Sequence, residues 1–475
     1  MIGAWLLGTG RAVQFAIDTH VVLVDRIMSQ LCLITSQDIL QQSLTISICN
    51  AALLNIIFAL QYGHEREISR TIVLWNILMT ILREIGFFRP ETAWPDERKG
   101  YFAPMRYAKL GQRQRLAYCM SKLDAYISVL RNKPMTIFPE ELHFPLPCTL
   151  SLWNAKELQT WEERQNDEPT YRNSKSMLSL IADSPLNADS TQEQPMLIED
   201  IHLFLCAIQS DIWKYSQNTF FQTDCRSNSV LRKDMLRRRL DRLKSRLDQI
   251  IGQVISYSKY NLQHNEPLIF RYYYGSEDHS LPSCHDAVTT RVKSMLFDAV
   301  MLHSLLSMHL SVNVNKLIQI ARDQRLSTVE EFSEAHRLAR EQRRTSMNGW
   351  ASTTAVRFAL CQSVDVLVAQ RNLGNGSGTP ANVQASDPIR YAALCVSALT
   401  VWTFCKFCDR GCEICVPGAN PVVDLTTWSM PGSLFEKEKQ AWIEMGDQGL
   451  MVRLQIQGIQ LCGCNTASLI DLFQA

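Results

Sequence analysis

Apolar residues recur at steps of three and four along most of the chain, as they do in helices that each bury one face. One such stripe is Leu116, Cys119, Met120, Leu123, Ile127 and Leu130. Pro134 ends it, because its ring clashes with the preceding turn and it offers no amide hydrogen. Upstream, Leu53, Ile56, Ile57 and Leu60 share a face, with Gly63 as a plausible stop. Ile72, Trp75, Leu78, Met79 and Leu82 form the next stripe. Downstream, Ile201, Leu205, Ile208 and Ile212 lie on one side of a helix. Leu236, Leu240, Leu243, Leu247, Ile250 and Val254 do so in a second, from Leu231 to Ser258. Residues 285–314 and 329–371 read as helices joined by a connector, with Trp350, Thr354, Phe358, Cys361 and Val364 to Leu367 as one long stripe. A last helix is expected near Phe435 to Met445.

Breaks in the pattern mark the connections. Pro139, Pro145 and Pro147 hold the chain extended, with Leu142, Phe144 and Leu146 as alternating apolar anchors. Trp153 and Trp161 then resume helix on roughly one face, eight residues apart. Residues 89–105 are a loop by composition, 162–195 a polar surface excursion or a partly disordered stretch, and Gly374 to Pro380 a flexible loop. The expected fold class is all-α, a large multi-helix domain with long polar and proline-containing loops. Residues 1–165 would hold its N-terminal helices and core, 166–196 a polar loop, 197–416 its C-terminal helical part and 417–475 a loop-rich tail.

Charge adds two points. Arg113 and Arg115 begin the 116–130 stripe and Asp124 lies within it, too far along for helical neighbours to pair. Those charges need partners on other elements. Over the whole chain, 48 basic and 47 acidic residues among 475 leave a net charge of +1, which makes no electrostatic case for direct duplex binding. Arg237, Arg238, Arg239, Arg242, Lys244 and Arg246 could face an acidic partner or a second copy. Asp234, Asp241 and Asp248 dilute them, which favours a solvated outer face. Fifteen cysteines and a start, Met1 to Leu7, without a basic leader point to reduced intracellular thiols. The uncharged runs between Asp38 and His64 and from Tyr391 to Cys405 read as buried helices, so no membrane is expected.

Chemistry is sparse. Cys405, Cys408, Cys412 and Cys415 are the sharpest metal candidates, since four thiolates suit tetrahedral zinc. Their three-residue central gap is short for paired ligands, and their offsets follow one helical stripe that continues Leu399 and Trp402, which favours packing thiols and no bound metal. Cys462 and Cys464 could add ligands, at a spacing that diagnoses nothing. His303 and His309 sit in an apolar helix, where a hydrogen-bonded core role is expected. No Gly-x-Ser-x-Gly, phosphate loop, dinucleotide fingerprint, His-Glu-x-x-His or Asp-Asp pair occurs, so neither an enzyme nor a resident cofactor is expected.

The order from Tyr107 to Trp161 resembles the fungal-specific transcription factor domain, the helical regulatory region of fungal zinc-finger activators and repressors. The matching residues are Arg113, Arg115, Leu123, Asp124, Pro134, Leu142, Leu146, Pro147, Cys148, Leu152, Trp153 and Ala155. Gly86-Phe87-Phe88 resembles the turn before the family's core helix, and Trp350 with Asp387-Pro388 resembles, more loosely, its C-terminal helices. Leu110 and Gly111 stand where relatives usually carry tryptophan and glutamate, which removes an acidic partner for the arginines. The resemblance implies a nuclear regulator of RNA polymerase II genes whose partners are transcription machinery, co-regulators or a second copy. It also implies DNA contact through a zinc-finger module upstream in relatives, or through a partner, with zinc held there. Arg113, Arg115 and Asp124 would hold the core helix against the Pro-Cys extension and Trp153. An interaction scaffold with no role at promoters is the alternative.

Overall fold

The first apolar stripes become four helices, α1 (Ile2–Leu7), α2 (Gly10–Leu33), α3 (Gln42–Tyr62) and α4 (Glu65–Glu84). The computed structural model describes residues 1–33, 42–89, 103–182, 196–218, 226–260, 268–276, 282–326, 334–374, 387–407, 422–429, 435–446 and 453–474. α2, α3 and α4 pack on one another, and α3 also meets α5 (Ala103–Arg131). Trp5 of α1 lies edge-on to Phe58 and Tyr62 of α3, with centroids 5.5 and 5.8 Å apart. Gly63 follows the end of α3, where a Cβ would lie 2.5 Å from the Ala59 carbonyl oxygen and only glycine fits unshifted. The Ile72–Leu82 stripe is buried in full. On α5, Leu116, Met120, Leu123 and Ile127 are buried, while Cys119, expected among them, is exposed.

After α5 the chain runs extended, as its prolines predict. Leu142, Phe144 and Leu146 are buried, and His143 and Pro145 between them are exposed. This segment pairs with the chain near Ser176: Met177 donates to the Phe144 carbonyl and Leu178 to that of Leu142, both at 2.8 Å. Two expectations fail here. Trp153 and Trp161 do not share a helix, because α6 (Leu150–Trp153) stops at Asn154 and α7 (Leu158–Asn166) starts afresh. The polar stretch read as a surface excursion holds α8 (Thr170–Ser174) and α9 (Met177–Ala182), with Tyr171, Arg172, Met177 and Leu180 buried. Its polar residues find buried partners, so polarity did not mean exposure.

The later helices are α10 (Ile198–Asn218), α11 (Arg226–Tyr260), α12 (Leu268–Arg271), α13 (Pro282–Ser311), α14 (Val314–Leu326), α15 (Glu334–Ala351), α16 (Thr354–Asn372) and α17 (Pro388–Phe407). The expected connector after residue 314 is thus itself helical. The expected stripe from Trp350 to Leu367 is divided, since Trp350 belongs to α15 and the chain turns before α16. Both still bury apolar faces: Trp350, Leu399, Trp402 and Phe407 pack around Val312, Leu317, Ile320, Met347 and Ala359. α17 is long and apolar enough to cross a bilayer, and 61% of its apolar window is buried within the fold.

The end of the chain adds β1 (Val422–Asp424), α18 (Leu425–Trp428), α19 (Glu436–Met445), β2 (Arg453–Ile456), β3 (Ile459–Gln460) and α20 (Thr466–Asp471). β1 pairs parallel with β2, and β2 antiparallel with β3 through a turn with positive φ at Gln457 and Gly458. Asp424 accepts hydrogen bonds from the amides of Gln457, Gly458 and Thr426. The fold is all-α apart from this small sheet, which was read in the sequence as loop. The chain divides into two compact units, one of Met1–Ser210, Gln253–Val292 and Gly376–Pro388, the other of Asp211–Gly252, Lys293–Asn375 and Ile389–Ala475.

In the second unit His303 is 2% exposed and donates from Nε2 to the Leu240 carbonyl at 3.0 Å. Burial pushes its pKa down to about 4, and Lys244 adds to the fall. An unfolded imidazole takes a proton near 6.5 that the folded one refuses until about 4. The stability this group contributes is therefore full above the unfolded value and lost as pH falls through the folded one. Urea midpoints measured from neutral pH down to about 4 should fall, and His303→Gln should shallow that fall.

Candidate functional site

The side chains that organise the first unit are the charges of α5, and each meets backbone that has no helical partner. Arg113 donates from Nη2 to the Phe87 carbonyl at 2.7 Å, its guanidinium 5.4 and 5.1 Å from the rings of Phe87 and Phe144. Arg115 donates from Nη2 to the Cys148 carbonyl at 2.8 Å and lies over the Trp153 ring at 4.7 Å. Asp124 is 1% exposed, and its Oδ2 accepts from the amides of Thr136 and Ile137, both at 2.7 Å. Burial pushes its carboxyl up to about 6, against the opposing pull of those amides. Arg83 of α4 reaches the same loop, gripping Glu141 with two bonds and the Thr136 carbonyl with a third.

These contacts place the Pro-Cys extension and α6 beside the first half of α5. Trp153 stands against Gly111, where a Cβ would come within 2.8 Å of the indole. The hydrogen at Gly111 is what lets the ring lie on the helix. Below it, Thr149 caps α6 and donates from its amide and hydroxyl to Glu168, at 2.9 and 2.7 Å. Arg172 donates from Nε to the Pro147 carbonyl at 2.6 Å and from Nη1 to both oxygens of Asp200 at 2.9 Å. Tyr171 donates to the same carboxylate at 2.7 Å.

Between α5, the extension and helices α6 to α8 lies a cavity of about 580 Å³. Leu110, Trp153, Leu158 and Trp161 give it apolar walls, and Gln114, Cys148, Glu168 and Arg172 give it polar ones. Burial, partly opposed by Arg115, raises the Cys148 thiol pKa, so the sulfur is neutral and no nucleophile. Burial also raises the Glu168 carboxyl, against the pull of Thr149, Arg172 and Arg115. The arrangement can enclose and hydrogen-bond a small molecule. Arg113, Arg115 and Asp124, singled out in the sequence, bond instead to the backbone of Phe87, of Cys148, and of Thr136 and Ile137. Gln114, Glu168 and Arg172 were not foreseen. Gln114 lies one residue from Arg115 on a helix already read as core, which was the available signal.

The cysteine candidates divide. Cys405 is buried near the end of α17, and the turn at Gly463 comes close to its carbonyl. Cys408, Cys412 and Cys415 lie outside the described residues. Among the described residues no three His, Cys, Asp or Glu side chains gather as a metal site. His285 is paired with the Tyr257 hydroxyl at 3.1 Å, and His303 bonds as described above.

The chain is similar to a zinc finger protein of Schizosaccharomyces pombe, 30% identical over 78 residues. That stretch is 16% of this chain and spans 13% of the relative's length. No family model matches the chain. No solved structure matches it. At the level these findings reach, the chain is a helical protein with a partial likeness to a fungal zinc finger protein.

Two substitutions test the site's construction. Asp124→Ala leaves the buried Ile137 amide and the half-buried Thr136 amide unpaired and should lower unfolding free energy by about 2–4 kcal/mol. Gly111→Ala forces Trp153 off the helix and should cost about 1–3 kcal/mol. Chemical denaturation measures both, and midpoints equal to wild type would contradict the assignments.

Proposed function

We propose that the chain is the regulatory region of a fungal transcription factor, acting in the nucleus on genes read by RNA polymerase II. The observation that carries this reading is that residues of the family resemblance also tie the extension and α6 to α5. Arg115 bonds the Cys148 carbonyl and covers Trp153, and Asp124 holds the turn that follows α5. Similarity to a fungal zinc finger protein supports it independently. In this reading DNA is reached through a zinc-finger module or through a partner protein, and zinc belongs to that module. The chain's own work is conformational rather than catalytic. Packing of the extension and α6 on α5 would set which surfaces are offered to co-regulators or transcription machinery.

The test is to tether the chain to a foreign DNA-binding domain in a fungal reporter strain. Output should move up or down against the DNA-binding domain alone. Leu123→Asp, which puts a charge at a position 4% exposed, should abolish the change by unfolding the core. A chain that accumulates in the nucleus yet leaves the reporter unmoved would contradict the proposal and favour a scaffold role.

A further inference from the structure

The cavity beside α5 has a composition that selects a ligand class. Its volume, about 580 Å³, falls in the range of pockets that enclose drug-sized molecules. Gln114 lines it while only 6% exposed, and its amide bonds to no other described residue. Arg172 lines it at 3% exposed, and with Nε and Nη1 engaged its Nη2 has no partner among the described residues. Both side chains line the cavity, and a ligand acceptor there could take hydrogen bonds from them in place of solvent. The two tryptophans on the walls offer flat apolar faces suited to stacking an aromatic ring.

Charge narrows the class further. Arg172 is neutralised by Asp200, with both side chains 2% exposed. Glu168 faces the positive charges of Arg172 and Arg115, and the exposed Lys156 and Glu157 of the lining carry opposite charges. A ligand with a net charge would give up its hydration and meet no unbalanced counter-charge. A neutral one with a carbonyl could accept from Gln114 Nε2 and Arg172 Nη2, and a carboxamide could also donate to the Gln114 oxygen.

We propose that this cavity binds a small, flat, uncharged aromatic molecule bearing a carbonyl or carboxamide, and that this ligand is the effector of the regulatory region. The effector role rests on the function proposed above, whereas the binding does not.

Naphthamide is a suitable probe, with naphthoate and naphthylmethylammonium as its anionic and cationic counterparts. Calorimetric titration of the purified full chain should show naphthamide binding at one site and raising the melting temperature, with both charged counterparts about tenfold weaker or more. Gln114→Leu should weaken naphthamide about tenfold, the loss of one buried hydrogen bond, without changing the melting of the free protein. Trp161→Leu should weaken it too, and serves if the Gln114 variant does not fold. No binding of naphthamide, tighter binding of naphthoate, or an unchanged affinity in both variants would overturn the proposal. The reporter separates the two readings. Naphthamide that binds the pure protein while the tethered chain leaves the reporter unmoved removes the effector role and keeps the site. A tethered chain that drives the reporter but binds no naphthamide removes the ligand class and keeps the regulatory region.

Discussion

A charge inside a core must be met by polar groups, and on α5 the helix itself supplies none. Helical amides and carbonyls are already bonded to one another, so Arg113, Arg115 and Asp124 have to be satisfied by backbone that is not helical. The proline-rich segment after α5 is such backbone. Its prolines keep it out of helix, and its free carbonyls and amides, at Cys148, Thr136 and Ile137, become the partners of Arg115 and Asp124. The energetics are asymmetric. Made, these bonds add modestly to stability; broken, each leaves a buried group with its full desolvation cost. The packing of the extension on α5 therefore has a strongly preferred geometry.

The cavity follows from that geometry. Arg115 and Gly111 fix Trp153 from two sides, the guanidinium over its face and the glycine against its edge. Arg172, tied to Pro147 and Asp200, fixes the opposite wall. Charged hydrogen bonds hold both walls, those of Arg172 buried and that of Arg115 half-buried, with the cavity between them. A buried ion pair such as Arg172 with Asp200 is a poor source of net stability but an effective means of specifying one arrangement.

Helix positions and core stripes were legible because burial repeats with the helical period, and α4 shows it most fully. So was the need for distant partners on α5, since spacing alone excluded a bond between Arg113 and Asp124. What escaped notice was set by long-range contact. Arg172 sits in a polar stretch and is buried only because Asp200, 28 residues away, neutralises it. The helical character of α14 was hidden by its polar surface, and the division between α15 and α16 by apolar residues on both sides of the turn. The β2–β3 hairpin is too short for alternation to register, and its turn depends on Asp424, more than thirty residues earlier.

The central claim is that Asp124, buried in α5, and the half-buried Arg115 clamp the extended segment. Amide hydrogen exchange at Thr136 and Ile137 measures this most directly, because both lie outside helix and sheet and would exchange as fast as any loop if unclamped. The account predicts protection comparable to the interior amides of α5, since both hydrogens point at the Asp124 carboxylate. Exchange at the rate of an unstructured peptide would contradict it.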